Sequence, residues 1–278
     1  MKKICFLFTA VLILFFMGCG SEKADVEQET IESPFTKQIE IFGVHVYATD
    51  GVADEKILHA ANMLAEYLDN DEDGVVDNQL VVDALVRHNT SLVMAKDEEE
   101  IHSLDRNSLP PGETQGLWDE ETIPGGAERG VFDAAIEEII HPITYVGFGN
   151  AYPEVFGTVP GSVVGNIMDE ARGGHFEEVP EKYPDEAWYT YYDETCDYEC
   201  QITEYIYWAL TSILGGQDFP GRLERIQDEW RYNTKEKVIE GDPKIYALLT
   251  DPQYKFPTVL PDGIYQAKTF TIEEFKLK

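Results

Sequence analysis

Residues 132–146 read FDAAIEEIIHPITYV, and this stretch ties a predicted fold to a predicted chemistry. Its apolar residues recur at three- and four-residue steps, which is typical of an amphipathic helix. Asp133 suits the entry of that helix because its carboxylate can accept from free backbone N–H groups. We therefore predict a helix over 132–146. Pro142 has no N–H to donate, so we expect a kink just beyond His141.

Two side chains of this helix are spaced to share a metal ion. Glu137 and His141 are four residues apart and therefore lie on one helix face. Glu138 follows Glu137 and is turned about 100° around the axis. Two other interpretations stay open: Glu137 as a surface carboxylate, and His141 as a cap for the kink before Pro142.

A second helix is predicted over Cys200–Leu214, an apolar stretch that ends at Gly215-Gly216. Glu204 is the only acidic residue within it. A carboxylate buried on such a helix needs a partner, because an unpaired charge is very unfavourable away from water. The helix therefore predicts an interacting group for Glu204 elsewhere in the fold.

The sequence from Glu137 to His141, EEIIH, resembles the HExxH motif of zinc metallopeptidases, with a glutamate in place of the first histidine. A carboxylate can also bind zinc. In the gluzincin type, a glutamate on a later helix supplies the third ligand, and Glu204 matches that position. The region 91–214 therefore resembles a zincin-like metallopeptidase core.

This resemblance assigns roles to individual residues. It implies that zinc is bound by Glu137, His141 and Glu204, and that Glu138 is the general base. It also implies that an oxyanion could be steadied by Tyr205 or His175. A surface position is the alternative for His175.

Residues 69–77, DNDEDGVVD, have the form DxDxDGxxD. Calcium takes six to eight oxygen ligands, and carboxylates on alternate residues of a tight loop can converge on one ion. The segment 69–80 resembles an EF-hand calcium loop over its first nine positions, but Leu80 stands where the bidentate glutamate belongs. A solvated acidic turn is the alternative. The predicted ligands of this structural site are Asp69, Asp71, Asp73, Val75 and Asp77.

The rest of the chain predicts a helix-dominated α+β protein with a small N-terminal sheet, formed by one domain over 37–278. Residues 105–128 have no hydrophobic periodicity and are predicted to be a long loop. Strands are predicted at 39–47 and 91–95. The further helices are predicted at 52–68, 80–86, 97–104, 163–171 and 222–233.

The N-terminus predicts export. Two lysines and an apolar run mark residues 1–18 as a secretory signal peptide, and Phe16-Met17-Gly18-Cys19 resembles a bacterial lipobox. We expect lipidation of Cys19 and an acidic, flexible tether over 19–36. Ordinary cleavage near Gly18 is the alternative. The predicted location is therefore the outer face or periplasmic side of a bacterial membrane, with the lipid as the membrane contact.

Cys196 and Cys200 remain as a pair in the predicted mature chain. An exported compartment is oxidising, so we predict a disulfide between them. A CxxxC metal site is the alternative, but it would have only two ligands.

The formal net charge of −32 favours cations and disfavours nucleic acid as a partner. Two functions are compatible with these observations. The first is a zinc-dependent hydrolase, a peptidase acting on peptides or proteins. The second is a non-enzymatic, calcium-stabilised binding lipoprotein that uses an aromatic groove lined by residues 188–192.

Overall fold

The computed structural model describes residues 33–275, so the predicted signal peptide, Cys19 and most of the predicted tether lie outside the described residues. Within this range a five-stranded mixed sheet has the order β4-β3-β2-β1-β5. β1 begins at Phe35, inside the segment predicted to be tether. The strands are β1 Phe35–Ile41, β2 Val44–Thr49, β3 Ser91–Ala95, β4 Thr114–Trp118 and β5 Glu273–Glu274.

The single strand predicted over 39–47 is wrong, because the chain reverses in the middle of it. Phe42 and Gly43 have φ values of 50° and 87° and connect β1 to β2 as an antiparallel hairpin. A two-residue loop with both φ values positive twists in the sense of the adjoining strands. The β-branched residues on both sides hide this turn in the sequence.

The next strands are added in parallel and form the side of the sheet nearest the candidate site. β2 pairs in parallel with β3, and β3 pairs in parallel with β4. All five residues of β3 are buried, as expected for a strand covered on both faces. β4 lies at the edge of the sheet.

β4 corrects the prediction that residues 105–128 are one loop. Only Leu117 of its five residues is buried, and Gly116 interrupts the side-chain pattern. An edge strand of this kind is hard to recognise in the sequence, because few of its side chains are buried and its hydrophobic pattern is therefore weak.

Twelve α-helical segments lie within residues 33–275, and with the small sheet they confirm the helix-dominated α+β class. The predicted helices 52–68, 80–86, 97–104, 163–171 and 200–214 are present within a few residues. The helix predicted over 222–233 ends at Ile226, and α11 and α12 were not predicted. The segments are α1 Asp54–Leu68, α2 Gln79–Arg87, α3 Glu98–Ser103, α4 Ala135–Glu138, α5 Ile140–Pro142, α6 Gly149–Ala151, α7 Pro153–Phe156, α8 Val163–Ala171, α9 Tyr198–Ile213, α10 Arg222–Ile226, α11 Lys235–Gly241 and α12 Pro243–Leu249.

The stretch around Pro142 is helical but irregular. The α-helical turns of α4 and α5 are followed by a π-helical segment, Ile143–Phe148, before α6. Pro142 has no N–H group, so the hydrogen bond to the carbonyl group four residues earlier is missing. The wider π-helical turn that follows accommodates the missing bond. The hydroxyl of Thr144 donates to the carbonyl oxygens of Ile140 and His141.

A disulfide joins Cys196 to Cys200 at the start of α9, as predicted. Cys196 lies outside the helix, and the side chain of Asp197 caps it by accepting from the N–H of Cys200. The first turn of α9 is therefore fixed by a covalent bond and by a cap. Among residues 33–275, no helix is long and apolar enough to cross a membrane.

Candidate metal centres

The side chains of Glu137, His141 and Glu204 come together where α4 and α5 meet α9. One ligand atom from each lies within 4.8 Å of the other two. His141 and Glu204 are buried, and Nε2 of His141 is 3.7 Å from Oε2 of Glu204. The three residues therefore form a group that could hold a metal ion.

Nε2 of His141 is buried and has no hydrogen-bond partner among the described residues. The ring packs edge-on against Tyr207, and its Nδ1 atom is 3.9 Å from Oε2 of Glu138. Burial lowers the pKa of His141 to about 4, so the ring is neutral near pH 7 and offers a lone pair. A buried polar atom without a partner costs about 1–3 kcal/mol. A metal ion next to Nε2 would remove that cost.

The carboxylates of the group repel each other. Burial, followed by the charge of Glu138, raises the pKa of Glu137 to about 8. Burial, followed by the charges of Glu137 and Glu138, raises the pKa of Glu204 well above its ordinary value. Within residues 33–275, no lysine or arginine forms an ion pair with the carboxylates of Glu137, Glu138 or Glu204. A cation between them would relieve the repulsion.

Hydroxyl groups lie beside two of the candidate ligands. The hydroxyl of Tyr207 partly offsets the rise in the pKa of Glu137, and the hydroxyl of Tyr191 partly offsets the rise in the pKa of Glu204. The hydroxyl of Tyr207 also accepts from Gln217 at 3.2 Å and from Arg222 at 3.4 Å. Arg222 therefore lies near Glu137 through Tyr207, and neither Arg222 nor Tyr207 lines the cavity described next.

Glu138 lines an open cavity of about 360 Å³ together with His141 and Glu204. Nε2 of Gln115, on β4, donates to Oε2 of Glu138 at 2.5 Å and fixes the carboxylate. Burial, followed by the charge of Glu121, raises the pKa of Glu138 to about 7. The other residues that line this cavity are Gln115, Tyr145, Asp197, Glu199, Cys200 and Thr203.

The sequence did not identify five of the residues that line this cavity: Gln115, Tyr145, Asp197, Glu199 and Thr203. Gln115 could not be identified because residues 105–128 were predicted to be a loop. In the structure Gln115 belongs to β4, which places its side chain beside Glu138. Tyr145 is four residues beyond His141 and therefore on the same helix face. That spacing was a usable signal in the sequence.

Tyr205 and His175 lie away from this cavity, so the roles suggested for them at an oxyanion do not match their positions. Tyr205 is fully buried, and its hydroxyl donates to Asp242 at 2.5 Å. It follows Glu204 on α9 and is turned about 100° from it. Nδ1 of His175 hydrogen-bonds with Asp169 at 2.7 Å.

The aromatic stretch 188–192 packs around α9. Nε1 of Trp188 donates to Asp242 at 2.8 Å, and the hydroxyl of the buried Tyr189 donates to the carbonyl oxygen of Gln201 at 2.8 Å. The hydroxyl of Tyr191 lies beside Glu204, while Tyr192 is 52% exposed. Most of the stretch therefore packs against α9, the helix that carries Glu204, and does not line a groove.

The second group that could hold a metal ion is formed by Asp69, Asp71 and Asp73, whose carboxylate oxygens lie within 4.8 Å of one another. Asp69 is buried and accepts from the backbone N–H groups of Asp73 and Gly74 at 3.2 and 2.8 Å. Gly74 has a φ of +89°, which permits the tight turn. The hydroxyl of Tyr265 also donates to Asp69.

The other predicted residues of the loop are placed differently. The carboxylate of Asp77 accepts from the N–H of Asn70 at 2.7 Å and is outside the group of three. The side chains of Val75 and Leu80 are 67% and 56% exposed. Asn70 binds the C-terminal part of the chain, since its amide accepts from the N–H groups of Thr258 and Val259.

Comparisons with protein-family models, with curated proteins and with solved structures find no match to this chain.

Proposed function

We propose that this protein is a zinc-dependent hydrolase that cleaves peptides, with the metal held by Glu137, His141 and Glu204. The observation that carries the proposal is the buried, unpartnered Nε2 atom of His141, which lies 3.7 Å from Glu204 beside an open cavity. Seven buried side-chain atoms of the described residues have no hydrogen-bond partner, and this one differs from the others because its residue lines a cavity together with a carboxylate.

The donor set fits zinc. Zinc accepts imidazole nitrogen and carboxylate oxygen at about 2.0–2.2 Å, which places two tetrahedral ligand atoms roughly 3.4 Å apart. The pair His141 and Glu204 at 3.7 Å is close to that separation. Three protein ligands are typical of catalytic sites, whereas structural sites have four. When bound, zinc would supply a Lewis acid that polarises the carbonyl group of the substrate.

Glu138 is the residue that would move protons. Its carboxylate faces the cavity beside His141, and Gln115 holds one of its oxygens. In this position the carboxylate would accept a proton from the attacking water and then return it to the leaving amine. Gln115 orients the carboxylate, and Tyr145 on the same wall is a donor for a substrate carbonyl.

The test of this function is zinc content by mass spectrometry together with hydrolysis of a broad peptide library by the purified protein. We expect about one zinc per chain and cleavage that a chelator abolishes. Zinc without cleavage of any peptide would favour the binding lipoprotein, and an absence of zinc would reject the site.

The acidic loop at 69–80 is proposed to bind calcium as a structural site. Asp69, Asp71 and Asp73 already converge, and the loop is bonded to the C-terminal segment through Asn70 and Glu72. An ion here would stabilise the junction between the α1–α2 connection and the chain end. The exposed Leu80 supplies no ligand, which favours modest affinity.

Millimolar calcium is expected to raise the melting temperature, because an ion that binds only the folded state stabilises it, by about 2.7 kcal/mol at 100 times Kd. Asp71→Ala with Asp73→Ala should abolish this shift. A matched control, Asp50→Ala with Glu128→Ala, removes two exposed acidic residues elsewhere and should keep it. An unchanged melting temperature of the parent protein in calcium would contradict the site.

Export and anchoring through a lipid on Cys19 are proposed from the N-terminal sequence. The disulfide is compatible with an oxidising compartment. Cys19→Ser is expected to move the protein from the membrane fraction to the soluble fraction or to stall its processing. Equal membrane association of parent and variant in cell fractionation would count against the anchor.

A further inference from the structure

The cavity of the candidate zinc site adjoins a second one. A neighbouring cavity of about 290 Å³ shares Tyr145 and Glu199 as walls with the first. The two cavities together are called the cleft below, and His141, whose Nε2 atom is unpartnered, lines the first of them. The second cavity is also lined by His88, Glu113, Val146 and Asn150.

This cleft is acidic outside the candidate metal site as well. Glu113 lines the second cavity, Asp197 lines the first and Glu199 lines both, and none of the residues that line either cavity is lysine or arginine. Asp197 caps α9. One oxygen of Glu199 accepts from the hydroxyl of Thr158 at 2.7 Å, which leaves its second oxygen for a ligand.

Exposed acidic residues are common on a protein with a net charge of −32 and do not by themselves make a site. Two features set this group apart. Glu113, Glu199 and Tyr145 line one cavity together, and Glu199 and Tyr145 also line the adjoining cavity, which is lined by the buried, unpartnered His141. A cation in the cleft could contact two carboxylates and an aromatic ring together.

We propose that the substrate is a peptide with a lysine or arginine next to the scissile bond, whose cation binds Glu113 and Glu199 over the ring of Tyr145. This inference rests on the proposed hydrolase, because the scissile bond would then lie in the cavity lined by His141 and Glu138. An acidic side chain at the same position would be repelled by these carboxylates.

The experiment uses matched peptides that differ at one residue, arginine or citrulline, which have similar shapes but differ in charge. For the zinc-loaded parent we expect kcat/KM to be at least about tenfold higher for the arginine peptide, as for one hydrogen bond to a charged group. Glu113→Gln and Glu199→Gln should each lower this ratio, and the double variant should bring it near one. Glu154→Gln, an exposed acidic residue on α7 outside both cavities, should leave the ratio unchanged.

A binding measurement separates this inference from the proposed function. Zinc-loaded Glu138→Gln should bind a fluorescent arginine peptide more tightly than its citrulline counterpart, even if no peptide is cleaved by the parent. Loss of cleavage with this preference intact would reject the hydrolase and keep the basic ligand. Equal affinity and equal turnover for the two peptides would overturn the inference, as would a full preference in the folded double variant.

Discussion

Glu138→Gln is expected to keep zinc and to lower kcat/KM for peptide cleavage by roughly 10²–10⁴-fold, the range of a lost general base. The amide has nearly the shape of the carboxylate but cannot take a proton from water. Gln115 can still hydrogen-bond with the amide oxygen, so the local packing should persist. Zinc content and cleavage of a fluorogenic peptide measure the two effects separately.

A matched control for this variant lies nearby. The carboxylate of Glu121 is half-buried, accepts from the N–H of Trp118 at 3.2 Å and does not line the cavity. Glu121→Gln therefore removes a charge that raises the pKa of Glu138 but leaves the proposed base in place, so it should lower kcat/KM far less than Glu138→Gln. Cleavage that falls equally in both variants, or that survives in Glu138→Gln, would show that Glu138 is not the base.

His141→Ala is expected to lose zinc, with an affinity loss of more than about 100-fold, since even residues that only support a ligand account for 10–100-fold. The variant removes the nitrogen ligand and leaves two carboxylates. Zinc stoichiometry after dialysis should fall from about one to near zero. In excess calcium, a chelator selective for zinc should lower the stability of the parent, whereas the variant should not respond.

Two further variants separate metal loss from a folding defect. His175→Ala removes a half-exposed histidine that bonds with Asp169, and it should retain zinc. Glu204→Gln keeps the shape of the side chain on α9 and should also lose zinc, even if His141→Ala proves unstable because of its packing against Tyr207. Full zinc content in folded His141→Ala and Glu204→Gln would end the proposal of this metal site.

Several features of the candidate site could be predicted because they depend on local geometry. The four-residue spacing places Glu137 and His141 on one helix face wherever that helix packs. Glu204 was predicted to need a partner because it is the acidic residue of an apolar helix, and the structure places it 3.7 Å from His141. The pairing of Cys196 with Cys200 required only that Cys196 lie outside the helix, as it does.

Other features needed the tertiary structure. The turn at Phe42 and Gly43 is hidden in a run of strand-forming residues, and the edge strand β4 has a weak pattern, so Gln115 could not be placed beside Glu138. Asp77 fits a calcium loop by its spacing, yet its carboxylate binds the N–H of Asn70. Spacing shows where a side chain can point, but the competing donors around it decide where it points.

The sequence by itself therefore determined the α+β class, the helix face of Glu137 and His141, and the tight acidic loop closed by Gly74. The tertiary structure alone decided which groups complete the candidate site: the amide of Gln115 from the sheet edge and the acidic walls at Glu113 and Glu199. The physical reason is that these features depend on interactions between residues at different separations along the chain. Backbone hydrogen bonding and side-chain periodicity act over a few residues, whereas a cleft forms only where distant segments pack together.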